Sequence, residues 1–92
     1  MKYHVEFSDQ ADADLDTWRR SGAKKDVKKI FKLIEELEEH PRTGTGQVEA
    51  LKGDLSGLWS RRINKHYRML YSIQDDIVTV ELLSLRGHYG DK

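Results

Sequence analysis

Between Lys24 and Glu39 apolar residues return at Val27, Ile30, Phe31, Ile34 and Leu37, and His40-Pro41 then stops the pattern. This is the i, i+3, i+4, i+7 spacing of one helical face, ended where a proline disfavours helix in the residue before it. A helix with one apolar face is stable only when another layer covers that face. The flanking segments offer both a second helix and a sheet. Tyr3, Val5 and Phe7 alternate with Lys2, His4 and Glu6, the period of a half-buried strand. Ser8 offers an N-cap to a helix in which Ala11, Leu15 and Trp18 form a narrow apolar stripe, with Gly22 as its terminator.

Beyond Pro41 the pattern changes. Arg42 to Gln47 is rich in Gly and Thr and reads as a loop, followed by an extended piece at Val48 to Lys52 and a turn at Gly53-Asp54. Leu58 to Ile63 and Tyr67 to Ile73 flank the polar turn Asn64-Lys65-His66, and Ile77 to Leu85 follows a turn at Asp75-Asp76. These segments predict a meander of three strands. With 92 residues and hydrophobics at 37%, the chain supports one domain, residues 1–92. The expected class is α+β: an N-terminal strand and two helices on one face of a small, mainly antiparallel twisted sheet. The other sheet face is left for function.

Composition narrows the chemistry. Without cysteine there is neither a disulfide framework nor a thiolate metal site, and His4, His40, His66 and His88 lack metal-ligand spacing. Asp12, Asp14 and Asp16 superficially suggest a calcium loop. Thr17 stands where its turn glycine belongs and Ala23 where its closing glutamate belongs, so the three read as a solvated helix face. No metal or cofactor is expected. The start of the chain is strand-like rather than a basic segment followed by an apolar one, and no apolar run reaches membrane-spanning length. The expectation is a cytoplasmic protein without membrane attachment.

The formal charge is zero, but it is unevenly spread. Residues 1–22 carry three basic residues against five acidic ones, a balance of −2, whereas residues 41–74 carry six against two, a balance of +4. The basic half is where an anion should dock. In the second helix Lys24, Lys25, Lys28 and Lys29 come first and Glu35, Glu36, Glu38 and Glu39 last, against the preference of the helix macrodipole. This cluster reads as a solvated charged face, with RNA docking as the alternative.

Strand alternation puts Ser60, Arg62 and Asn64 on one face and Trp59, Arg61 and Ile63 on the other, while Arg68 shares a face with Leu70. Taken singly, each arginine reads as a solvated residue or an ion-pair partner; three within eight residues favour phosphate, which guanidinium forks bind bidentately. Glu49 is the only carboxylate between Glu39 and Asp54. It suits a structural ion pair as well as a catalytic base. His88 and Tyr89 stand in a Gly-flanked tail, Arg86-Gly87-His88-Tyr89-Gly90, which by itself reads as a loose terminus.

Leu55-Ser56-Gly57-Leu58-Trp59-Ser60-Arg61-Arg62-Ile63, then Tyr67-Arg68-Met69-Leu70-Tyr71, preceded by Glu49-Ala50-Leu51-Lys52 and ended by His88-Tyr89, resembles the YoeB (Txe) branch of the RelE/ParE toxin superfamily. The resemblance implies a RelE-like fold. It also implies a type II toxin that cuts messenger RNA on the ribosome as a metal-independent endoribonuclease, is neutralised by a cognate antitoxin, and is compatible with a homodimer. By motif, Glu49 matches the general base, Arg68 the phosphate-binding arginine and His88 the general acid, with Lys52, Arg62 and Tyr89 at supporting, substrate-binding positions. A ParE-like toxin that binds DNA gyrase without catalysis is the alternative. The chain departs from the family in its basic Asn64-Lys65-His66 turn, in Gly87 and in the extension Gly90-Asp91-Lys92.

Overall fold

The computed structural model describes residues 2–88. Strand β1 (His4–Phe7) leads into helices α1 (Asp9–Arg20) and α2 (Lys24–Glu39), and β2 (Glu49–Ala50), β3 (Leu58–Arg62), β4 (Tyr67–Gln74) and β5 (Thr79–His88) follow. The five strands form one sheet in the order β1-β5-β4-β3-β2. All neighbours are antiparallel except β1, which runs parallel to β5. Parallel neighbours need a crossover, and here α1 and α2 begin it, which puts both helices on one sheet face. The expected α+β class is what the chain adopts.

The core lies between these layers. Ala11, Trp18, Ile30, Leu33 and Leu37 of the helices pack on Ile63, Met69, Tyr71, Val80, Leu82 and Leu85. The bounds of α2 match the apolar periodicity, but its buried line is Ile30, Leu33 and Leu37. Leu33 replaces Phe31 in that line. Phe31 is 40% exposed and lies under the Arg19 guanidinium, 5.5 Å from its ring centroid. The helix is therefore rotated relative to the predicted stripe, with a cation covering the aromatic residue left outside.

Helix α1 starts where its cap residue placed it: the Ser8 hydroxyl accepts the Ala11 N–H at 3.0 Å and donates to the Leu83 carbonyl at 2.8 Å. The acidic face behaves differently from expectation. Asp14 is 5% exposed, accepts the Leu85 N–H at 2.9 Å and receives Gln10 Nε2 at 2.8 Å. The cause lies in β5, whose register against β4 shifts between Arg68 and Leu70 and again between Leu70 and Tyr71. Such irregularities take backbone groups out of the ladder, and inside a protein each must find another partner. Trp18 Nε1 donates to the Leu85 carbonyl at 2.8 Å, so α1 satisfies both polar groups of Leu85. An α1 carboxylate thus supports the terminal strand.

Asp14→Ala is expected to lower stability by about 1–3 kcal/mol, because it strands the buried Leu85 N–H, while Asp14→Asn should recover part of the loss. Urea denaturation followed by circular dichroism measures both, and equal midpoints for Asp14→Ala and wild type would contradict the assignment.

Candidate functional site

The open sheet face is assembled by register. Glu49 pairs with Ser60, Ser60 with Leu70 and Leu70 with Ser84, while the neighbouring row joins Arg62, Arg68 and Gly87. Residues related by these pairings share a face, and it is the face opposite that of Arg61, Met69 and Tyr71, which the helices cover. Glu49, Arg62 and Arg68 are therefore brought together. Strand spacing and rise place the Glu49 and Arg68 Cα atoms about 12 Å apart.

The cations of this region differ in availability. Arg62 is half-buried and donates to the Asn64 carbonyl at 3.1 Å and Gln47 Oε1 at 3.4 Å. Arg42 pairs with Asp75 at 2.6 Å, with the Tyr3 hydroxyl donating to the same carboxylate. Hydrogen bonds from Arg42 first, then Tyr3, hold the Asp75 carboxyl below its usual range. Arg68 is different: among the described residues it forms no ion pair and lies over no ring. A half-buried arginine without a carboxylate partner retains the capacity to pair with an outside anion. Glu49 and Lys52 are both exposed, at and just beyond the edge strand β2.

His88 ends β5, where its Cα pairs with Tyr67. The terminus expected to be a tail is strand as far as this residue. Gly87, one position earlier, stands across from Arg68, and a Cβ there would meet the Arg68 carbonyl at 3.2 Å and its Cγ at 3.5 Å. Glycine thus avoids a tight approach to the Arg68 carbonyl. Tyr89 lies outside the described residues.

Arg61, grouped with Arg62 and Arg68 by spacing, takes no part in this face. It is fully buried on the other one. Its guanidinium donates to Glu36 Oε1 at 2.8 Å, to the carbonyls of His40, Thr43 and Thr45, and through Nε to the Tyr71 hydroxyl at 3.1 Å. Tyr71 in turn donates to the Pro41 carbonyl at 2.8 Å. The loop before β2 is wrapped on this one cation. Gly44, at φ 121°, is required there, since a Cβ would come within 2.5 Å of Glu36 Oε1. The Arg62 N–H then donates to the Gly46 carbonyl at 2.6 Å, fastening the loop beside β3 just before Glu49. Glu36, read as part of a solvated face, is a partner in this cluster. Sequence carried one usable signal: an arginine alternating with Trp59 and Ile63 belongs to the apolar face.

The family model described as the YoeB-like toxin of bacterial type II toxin-antitoxin systems matches residues 7–89. Toxin YoeB of Mycobacterium bovis is 40% identical over 85 residues, which span 92% of this chain and 96% of that protein. The YoeB dimer from Staphylococcus aureus superposes with a TM-score of 0.82 at 33% identity, covering 97% of this chain and 100% of its own. The toxin in the heterotetrameric YoeB-YefM toxin-antitoxin complex of the same organism gives 0.79 at 33% identity, with the same coverage.

Burial works to raise the Glu36 pKa, but hydrogen bonding with Thr45 and the Arg61 charge outweigh it and hold the carboxyl below its ordinary value of 4.5. A depressed carboxylate pKa adds stability that is complete above the unfolded value and lost as the pH falls through the folded one. Denaturation midpoints should therefore decline below about pH 4.5, and Glu36→Gln should flatten that decline. At neutral pH Glu36→Ala should cost about 3–5 kcal/mol by leaving Arg61 buried without its anion. A parallel pH profile for Glu36→Gln and wild type would remove Glu36 from this role.

Proposed function

The chain belongs to the YoeB-like toxins of bacterial type II toxin-antitoxin systems, and from that premise we propose that its open sheet face cuts messenger RNA held on the ribosome. The observation that carries this reading is the register that brings Glu49 on β2, Arg62 on β3 and Arg68 on β4 to one sheet face, with Gly87 of β5 across from Arg68 and the His88 backbone one residue further on, paired with Tyr67. A carboxylate and two guanidiniums thus share one face on three adjacent strands, and the fourth strand, β5, carries the histidine next to the glycine that stands across from Arg68.

RNA supplies its own nucleophile. In the proposed reaction the Glu49 carboxylate takes the proton of a 2′-hydroxyl, whose oxygen bonds to the adjacent phosphorus. The bond from phosphorus to the 5′-oxygen breaks, and His88 gives that oxygen a proton. The products are a 2′,3′-cyclic phosphate and a 5′-hydroxyl end. Arg68 neutralises the charge on the phosphoryl oxygens as five-coordinate phosphorus forms, with Arg62 and Lys52 holding flanking phosphates and Tyr89 supporting a base. This route requires no metal. Histidine's ordinary pKa near 6.5 suits a group that donates a proton near neutrality.

A cognate antitoxin is the proposed partner that covers this face, by analogy with the YoeB-YefM complex, and a homodimer is compatible with the S. aureus relative. Acting on ribosomes places the protein in the cytoplasm.

The test is to map message 5′ ends in a reconstituted translation reaction with the purified protein. New ends should appear only on ribosome-bound message. Glu49→Ala and His88→Ala should each slow cutting by about 10²- to 10⁴-fold, and Arg68→Ala by about 10²- to 10³-fold. Because Glu49 is exposed, Glu49→Ala should leave the thermal midpoint unchanged. Intact message together with falling gyrase activity would replace this reading by the gyrase-binding one.

A further inference from the structure

The helix layer carries a concentration of charge that the sheet-face chemistry does not use. Residues 19–32 hold seven basic residues and one acidic one, a balance of +6 in a chain of net charge zero. The tight turn between α1 and α2 joins the segments that bear them. Lys24, Lys25, Lys28 and Lys32 are exposed and Lys29 is half-buried. Among the described residues, none of these five lysines forms an ion pair.

A solvated helix face ordinarily interleaves opposite charges at i, i+4, and α2 separates them instead. Lys32 alone has a glutamate four residues later, and that residue, Glu36, is engaged by Arg61. The lysines also crowd the positive end of the helix dipole, where Ala23 provides no side-chain cap. Arg20 is neutralised by Asp16 at 3.1 Å, so the positive charge left unpaired at this cost to local stability is that of the five lysines and Arg19. Between Arg19, Lys24 and Lys28 lies a hollow of about 280 Å³ floored by Gly22, Ala23 and Val27.

We propose that this corner is a second RNA-binding surface, which grips the phosphate backbone of a folded RNA while the strand to be cut lies on the opposite, sheet face. Lysine is depleted from protein–protein interfaces but serves as a mobile point charge for phosphate. Lys24, Lys28 and Lys32 make one row and Lys25 and Lys29 another, with neighbours in each row about 6 Å apart along the helix. The exposed aromatic of this corner, Phe31, is already covered by the Arg19 guanidinium, so the rows of point charges suit a backbone rather than unstacked bases. The corner should thus supply affinity and leave the bond-breaking step unaltered.

A short RNA duplex tests this independently of the nuclease reading, since its binding requires no cleavage. Affinity is measured across a salt series for wild type, for the quadruple variant Lys24→Ala/Lys25→Ala/Lys28→Ala/Lys29→Ala, and for the same four positions changed to arginine. The alanine variant should bind more weakly, and the slope of log affinity against log salt should shrink by about 3. The arginine variant should keep the wild-type slope. Circular dichroism should give the alanine variant a thermal midpoint no lower than wild type, because like charges leave the positive helix end. Undetectable duplex binding by wild type, or an unchanged slope in the alanine variant, would overturn the proposal. So would wild-type binding to polyglutamate that is as tight as to the duplex and equally lost in the variant, which would assign the corner to an acidic protein segment.

Discussion

A guanidinium sealed inside the helix-covered layer organises the approach to the site. Arg61 is fully buried, and its charge is tolerable there because Glu36, the Tyr71 hydroxyl and three loop carbonyls surround it. Those carbonyls belong to the loop that delivers Glu49 to the sheet edge. Removing either charge would disturb the core and also release the path of that loop. The pair links α2 and the loop that follows it to β3 and β4, about twenty residues further along the chain.

The far end of the sheet depends on a second polar arrangement. Strand β5 loses register with β4 twice, and Ser8, Asp14 and Trp18 of the α1 region take up backbone groups of Leu83 and Leu85. The irregular strand is thereby held in place by a helix and still reaches Gly87 opposite Arg68. Its extension also explains why the terminal segment through His88 is strand, although its glycine suggested a loose tail.

Charge is sorted by layer. Of the basic residues between 41 and 74, Arg42 is neutralised by Asp75 and Arg61 by Glu36, so the apparent +4 overstates what a ligand meets. Arg62 and Arg68 remain on the sheet face beside Glu49. The lysines of α2 are held on the opposite layer, giving the molecule two cationic surfaces despite its zero net charge.

Periodicity by itself determined the helices, the cap at Ser8, the strand–helix–helix–strand order and the opposite facing of Arg61 and Arg62, because each depends on neighbours within a few residues. The separated motifs from Glu49 to His88 also carried the family. What only the tertiary structure decided was the state of each charge. Asp14 and Glu36 looked solvated because helical spacing reports which way a side chain points, but not whether a distant Leu85 amide or Arg61 guanidinium lies there. The same limit grouped Arg61 with Arg68: burial and partners come from segments brought together by folding, which local sequence does not encode.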